Sequence, residues 1–537
     1  MTIPASLQKL NKSHFVVYFV LLLSLGYLIF LACSIHEGIF YAGDQALKSM
    51  QVKQIAAGYG FKYLHLGQPE WVKSVWNAGF FPLHPPFFYP SPKGYLIVYP
   101  PLFQIITAFF YSHFGATGLY ILPMICTLIL LVWTVVLLKR CGVTPPGIAL
   151  AIFILVFCSP LMLYGVMFWE HLPAVLLLFG GLSFIAAPPS RTWTAAALGI
   201  LSGLAVWLRP EALMMVLLYS IAVFIVYLRD RRAICIAFGI GVALAILPWF
   251  AFNQLEYGSL FGIHGQQVLR DSDPDSRMIW HNGWRNLTAI NNISIRHFWF
   301  LLLLLPVFYD SIRRRNPDIR PLLLASIVIL YSLLTPFMLP NDGVIQWGPR
   351  YFLAIIPVTL VALFLAARQW DLRFLAAWQG DLRLHRPIPA WLTLLILIAG
   401  LASFYQNTHG GGYKELRWRY NQRLADTYRL LNREPGNVVI VSPYYASYDF
   451  GYLFDRDYFF AASGDDSLRR LLPMLKSHGV HQFIFIYNPR EHTLPPMLQD
   501  SATRHRFDVE AARGWVREDI ASKIYSLDSA DNRLAVY

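Results

Sequence analysis

The chain has 537 residues, of which 56% are hydrophobic and only 14% charged, with a mean hydropathy of +0.46. A soluble domain is nearer ~45–50% apolar and ~25% charged, so this composition excludes a soluble globular protein and describes a polytopic membrane protein. The net charge of +13 does not signal nucleic acid, because the basic residues lie mostly in short loops between apolar runs.

Lys9 and Lys12 precede an apolar run from Phe15 to about His36, longer than the core of a signal peptide. It reads as a retained first helix with a cytoplasmic N-terminus. Further runs at 118–138, 146–166, 171–187, 194–208, 211–228, 233–250, 297–310, 321–338, 351–367 and 389–406 bring the expected total to about eleven transmembrane helices. The loops then assigned to the cytoplasm carry Lys139-Arg140, Arg191, Arg229-Asp-Arg-Arg232, Arg313-Arg-Arg315 with Arg320, and Arg368, Arg373, Arg383 and Arg386. Every one is positive, as the positive-inside rule asks. Cys33, Cys126, Cys141, Cys158 and Cys235 all lie in or beside apolar runs, with no CxxC or His/Cys cluster, so neither a zinc site nor a disulfide framework is expected.

The opposite face receives the long excursions, 37–117, 251–296 and 339–350, and the tail from about 407. The expected organisation is a transmembrane domain over 1–406, with its first outer loop at 37–117, and a small extracytoplasmic α/β domain over 407–537. In the first loop, Gln45–Ala57 reads as a surface helix with Asp44 as N-cap. Leu102–Phe114 is apolar but too short to span, as for a helix lying in the interface. The loop is rich in aromatics and prolines (Phe80-Phe-Pro-Leu-His-Pro-Pro-Phe-Phe-Tyr-Pro-Ser-Pro92), and its Trp and Tyr content suits an aromatic belt at the headgroup level. In the tail, a buried strand at Asn437–Ser442, a helix at Asp466–His478 and a strand at His481–Tyr487 imply a small parallel unit. Lys523–Leu527 and Arg533–Tyr537 are expected to close it as a hairpin. No glycine-rich phosphate loop follows either strand, and no internal repeat is evident.

On the outer face the ionisable groups gather at helix ends. Asp44 follows the first span, Glu170-His171 precedes the fourth, Arg209-Pro-Glu211 joins the fifth to the sixth, and Arg350-Tyr351 opens the tenth. Lys48, Lys53, Lys62, Lys73 and Lys93 populate the first loop. Charges against a bilayer are costly, so they need a partner or a task. Carboxylates mixed with arginines at one level suit a phosphate-bearing lipid and an acid/base reaction. Each position also has a plain structural reading: Asp44 as a helix cap, Glu170-His171 as an interfacial pair facing water, Arg209–Glu211 as an ion pair, Arg350 as an interface anchor and the loop lysines as solvated charges. It is the joint placement that points to chemistry, with Asp44 and Glu170 as catalytic candidates and Lys48, His171, Arg209, Glu211, Arg350 and Tyr351 as substrate-binding candidates.

Over residues 15–370 the chain resembles the GT-C class of polytopic glycosyltransferases, which includes the lipid A aminoarabinose transferases and protein O-mannosyltransferases. The resemblance rests on Gly43-Asp44-Gln45, Tyr99-Pro-Pro-Leu102 with Phe114-Gly115, Glu170 and Leu208-Arg-Pro-Glu-Ala-Leu213. Pro248-Trp249…Asn253…Tyr257-Gly-Ser-Leu-Phe261 and Trp347-Gly-Pro-Arg-Tyr-Phe352 complete the order. It implies a sugar donor on a polyprenyl phosphate, inversion at the anomeric carbon and an acceptor that is an envelope lipid, a glycan or a protein. Asp44 matches the class's first-loop acid, a general base for the acceptor hydroxyl. Arg209 and Arg350 become candidates for the donor phosphate, and Glu170 for orienting sugar or acceptor. Gln45 and Ala46 stand where some relatives carry a second acid, which favours a lone base over a metal site while leaving a divalent metal open, with Glu37 or Glu170 as a further ligand. Tyr99 replaces the lysine that aminoarabinose transferases favour before Pro-Pro-Leu, so neither aminoarabinose nor lipid A specificity is carried over. The expected partners are the polyprenyl-phosphate sugar and membrane lipids, with no nucleic acid, and the expected location is a bacterial inner membrane. A transporter or lipid flippase and an O-antigen ligase or polymerase are the competing classes. The lack of repeats and the early position of the largest outer loop weigh against them.

Overall fold

All eleven apolar runs are helical in the computed structural model, which describes residues 5–85, 87–263, 276–288, 294–313, 318–339, 348–369, 390–420, 424–433, 435–442, 444–487, 521–526 and 535–536. They do not each form one continuous span. Among the described residues four helices are long and apolar enough to cross a membrane: His14–Ala32, Pro101–Arg140, Arg232–Tyr257 and Ile319–Met338. His171–Ala186, Thr192–Leu208 and Ala212–Tyr227 have 16, 17 and 16 residues. At about 1.5 Å per residue they cover roughly 24–26 Å, a little less than a ~30 Å hydrocarbon layer. The run at 146–166 is broken into Pro145–Phe157 and Leu161–Gly165. Pro160 sits at the break, where it has no N–H to continue the helical ladder. The protein is a helical membrane protein with a small sheet near its C-terminus.

The chain divides into two compact units, one of Met1–Ala32 with Leu122–Glu415, the other of Cys33–Ile121 with Leu416–Tyr537. In the first, small residues set the helix spacing. Gly199 and Gly203, one turn apart on Thr192–Leu208, face Arg232–Tyr257, and a Cβ on Gly199 would overlap the Phe238 carbonyl oxygen. Gly241 returns the contact, its place for a Cβ being filled by the Ala196 carbonyl oxygen. Two backbones approach this closely only where side chains are absent, the usual device of membrane helices. Trp207 Nε1 then donates to the Ala245 carbonyl at 2.9 Å and locks the register. Gly199→Leu is expected to cost about 1–3 kcal/mol or more by overpacking and to lower the thermal midpoint of the detergent-solubilised protein. Gly239→Ala, whose Cβ meets only the Phe224 ring edge at 3.6 Å, is the control expected to keep it.

The second unit is built around a five-stranded sheet of order β4-β3-β5-β6-β7, made of β3 (Val438–Ser442), β4 (Tyr458–Ala461), β5 (Gln482–Tyr487), β6 (Ala521–Ser526) and β7 (Ala535–Val536). A short antiparallel pair, β1 (Phe88–Ser91) and β2 (Gly94–Ile97), stands apart from it in the first excursion. Val438-Val-Ile-Val-Ser442 is buried along its whole length, as a central parallel strand covered on both faces must be. It pairs in parallel with β4 and β5, and β6 returns antiparallel on β5 with β7 beyond it. The expected strand–helix–strand unit and closing hairpin are therefore present, with β4 added on the free edge of β3. Asp465–Ser477 buries Leu468, Leu471, Leu472 and Leu475, the i, i+3, i+4, i+7 stripe of an amphipathic helix.

The first excursion belongs to this unit, joined to the tail by polar side chains that reach backbone carbonyls. Trp76 Nε1 donates to Phe459 at 2.8 Å, Ser447 Oγ to Pro82 at 2.9 Å, and Gln68 Nε2 to Phe454. Lys53 Nζ bonds the Tyr452 carbonyl at 2.6 Å and the Asp455 carboxylate at 2.9 Å. Of the Trp and Tyr residues of this excursion, Tyr41, Trp76 and Tyr99 are buried while Tyr59 is exposed. Within Pro101–Arg140, Pro101–Phe114 is a helix as expected, and a short turn at Gly115–Thr117, with Gly115 at φ 58°, separates it from Gly118–Arg140.

Candidate active site

Two groups of candidate residues emerge, one in each unit. In the first unit three helix ends meet. Glu170 is the N-cap residue of His171–Ala186, Glu211 that of Ala212–Tyr227, and Arg209 follows the last turn of Thr192–Leu208. Acids at helix N-termini and a base at a C-terminus are the signs that helix dipoles favour. Arg209 joins the two acids: Nη1 donates to Glu170 Oε1 at 2.9 Å and Nη2 to Glu211 Oε1 at 2.6 Å. The carboxylates are 3% and 6% exposed. Burial by itself lowers the proton affinity of Arg209, but the Glu211 and Glu170 carboxylates outweigh it and raise it, so the guanidinium stays charged.

Tyr351 lies against both arginines of this group. Its ring centroid is 5.3 Å from Arg209 Cζ and 4.6 Å from Arg350 Cζ, within cation–π range, and Arg350 Nη2 donates to its hydroxyl at 2.7 Å. Tyr331 Oη holds the Tyr351 carbonyl at 3.1 Å. His171, 4% exposed, stands edge-on to Tyr164, Trp169 and Tyr351. These residues line a small open cleft whose wall includes His171, Arg209, Glu211, Tyr331, Arg350 and Tyr351. The structure thus brings together six of the eight sequence candidates. The reading of Glu170-His171 as a water-facing pair is replaced by burial, and one oxygen of Glu170 is committed to Arg209. Tyr331 was not anticipated, although a lone tyrosine inside the apolar run at 321–338 was a usable signal. Trp347, part of the expected motif, lies outside the described residues.

Asp44 and Lys48 belong to the other unit. The helix begins earlier than expected, at Gly43, and its N-cap is Ala42, with extended backbone at φ −148°, ψ 155°. Asp44 is therefore in the first turn and not the cap. A bulkier residue at 43 would press on Tyr448 Cβ, 2.8 Å from a Cβ placed there. Gln45, 0% exposed, reaches back so that its Oε1 accepts from Tyr41 N at 3.0 Å, satisfying one donor ahead of the helix. Lys48 falls one turn after Asp44 on the same face. It is buried at 2% exposure, against the expectation of a solvated loop lysine, with Nζ 5.0 Å from the centroid of the Tyr99 ring. Arg419, which sequence reasoning missed, is also buried, and the only signal for it was the Arg417-Trp-Arg-Tyr420 cluster early in the tail. Among the described residues no group of three His, Cys, Asp or Glu side chains is arranged to hold a metal ion.

No family model matches the chain, and no curated protein matches it. Among solved structures it is similar to the crystal structure of ArnT from Cupriavidus metallidurans bound to undecaprenyl phosphate, at 13% sequence identity and a TM-score of 0.48, over 87% of this chain and 93% of that one.

Proposed function

We propose that this chain is an integral-membrane glycosyltransferase that moves a sugar from a polyprenyl-phosphate donor to an extracytoplasmic acceptor, with inversion at the anomeric carbon and Asp44 as general base. The observation that carries the reading is the placement of Asp44 in the first turn of the helix, one turn before the buried Lys48. A carboxylate on the same helix face as a buried lysine suits a phosphate-bearing substrate and an acid/base task. In the proposed reaction Asp44 takes the acceptor hydroxyl's proton as the acceptor oxygen bonds the anomeric carbon. The bond from that carbon to the phosphate oxygen breaks, and the polyprenyl phosphate leaves with the electron pair.

The arginines divide the remaining work. Both Nη groups of Arg209 already bond carboxylates, so its proposed part is to hold Glu170 and Glu211 in place. Arg350, stacked on Tyr351 at the cleft, is the guanidinium proposed for the leaving phosphate, where a fork of donors matches two oxygens. Tyr351, His171 and Glu211 shape the wall against which the donor rests, and Glu170 acts through Arg209. The proposed setting is a bacterial inner membrane with a cytoplasmic N-terminus and the catalytic groups on the outer side.

The test is mass spectrometry of glycolipids, glycans and glycoproteins from cells with and without the gene. A sugar-sized mass increment that disappears on deletion and returns with the wild-type gene is expected. Uptake of a sugar or lipid into sealed vesicles, with no covalent product in either strain, would assign the chain to transport instead.

A further inference from the structure

The C-terminal segment touches the helix lead-in that presents Asp44, and that contact has a definite chemical form. Tyr41, three residues before Asp44, has both of its backbone polar groups held by side chains. Its N–H is taken by Gln45 Oε1 at 3.0 Å, and its carbonyl accepts from Arg419 Nη1 at 3.4 Å. Arg419 is 2% exposed, and its Cζ lies 5.3 Å from the Tyr41 ring centroid and 5.3 Å from that of Trp418. The Tyr41 ring, 1% exposed, also packs against Tyr420 at 6.3 Å. On the far side of Asp44 the same tail closes on the helix backbone, with Tyr448 under Gly43, and Gly451 so near the Ala46 carbonyl that a Cβ there would stand 2.5 Å from its oxygen. Fully burying a guanidinium is expensive, and a surface segment that only covered a core would do so with an apolar side chain.

We infer that Arg419, together with Gln45, is a positioning residue for Asp44: the two side chains clamp the Tyr41 peptide and so fix where the first turn of the helix places the carboxylate. This rests on the proposed role of Asp44 as the base. It gives the tail a part in the reaction, through the backbone and without contact to the sugar, where its sequence alone favoured no role. A displacement on the order of 1 Å at a reacting group costs roughly 10²-fold in rate, so the clamp should govern turnover far more than donor binding.

The experiment uses the full-length protein in detergent or proteoliposomes, with a polyprenyl-phosphate sugar as donor and the acceptor found by mass spectrometry. Arg419→Lys keeps the charge but loses the fork of donors, and Gln45→Met opens the clamp from the other side. For each, kcat should fall about 10- to 100-fold, with the donor KM within twofold and the thermal midpoint close to wild type. The acid limb of the rate–pH profile should move, because the base now sits in altered surroundings. A purely structural role would lower midpoint and active fraction together and leave the profile where it was, and that result in either variant overturns the inference. Wild-type kcat with an unmoved profile in Arg419→Lys does so as well, and Gln45→Met alone decides if Arg419→Lys is not recovered folded. Asp44→Asn separates the two levels of the proposal. If Asp44→Asn still transfers sugar at the wild-type rate, the assignment of the base is lost. If it is inactive while both clamp variants behave as wild type, only the clamp is lost.

Discussion

Asp44→Asn should reduce sugar transfer by about 10²- to 10⁴-fold, the usual contribution of a positioned general base, while the protein accumulates in the membrane as wild type does. The change is nearly isosteric and removes the charge and with it the ability to accept a proton. Its structural cost should be small for a reason visible in the helix itself. Ala42 is the N-cap, and Gln45 Oε1 accepts from Tyr41 N ahead of the first turn, so the capping position itself is untouched by the change. The first-turn charge that is lost is favoured by the helix dipole by about 0.3–1 kcal/mol. Even a capping role would survive, since asparagine caps as well as aspartate. The variant therefore divides chemistry from stability. Turnover of radiolabelled donor by purified protein, measured beside its thermal midpoint, gives the answer, and wild-type turnover would remove Asp44 from the reaction.

How far the sequence reached follows from the kind of interaction involved. Hydrophobic periodicity is local, so the strands at 438–442 and 482–487 were readable to within a residue or two, and the apolar runs marked the helices without fixing their ends, as Arg232–Tyr257 shows for the run at 233–250. β4 (Tyr458–Ala461) was not, because four residues after Asp455-Arg-Asp457 carry little pattern, and it is pairing with β3 that makes them a strand. The attachment of the first excursion to the tail was equally hidden. It depends on Trp76, Gln68 and Ser447 reaching carbonyls hundreds of residues away, and a carbonyl has no sequence signature. Asp44 was read as a cap because Gly-Asp before a helix is capping chemistry. The helix instead starts at Gly43, where only a hydrogen fits against Tyr448. Lys48 looked solvated until Tyr99 was found beside it. The Glu170–Arg209–Glu211 group was the most legible part of the candidate site, since charges at the ends of three helices have few places to go.

That group carries the largest expected loss of stability. Arg209→Met should destabilise the protein by about 3–5 kcal/mol, the range for breaking a buried ion pair from one side, because it leaves Glu170 and Glu211 facing a cleft wall without the charge that bonds both. Lost packing alone would give a deficit independent of pH. Loss of the countercharge gives one that varies, and its sign can be worked out. Buried carboxylates without a cation favour their protonated form, so the variant binds more protons when folded than the wild type does. Its deficit should be largest near neutral pH and shrink as pH falls toward the carboxylate range. Glu170→Gln combined with Arg209→Met and Glu211→Gln removes all three charges and should recover much of the loss, as replacing whole buried ion networks often does. Arg209→Lys should lie between, since one ammonium cannot present two fixed N–H groups to two carboxylates on separate helices. Thermal midpoints of the four proteins measured at several pH values test the account. A deficit in Arg209→Met that is flat with pH and not relieved in the triple variant would mean that the arginine contributes packing, and that the three helix ends are held together by something other than charge.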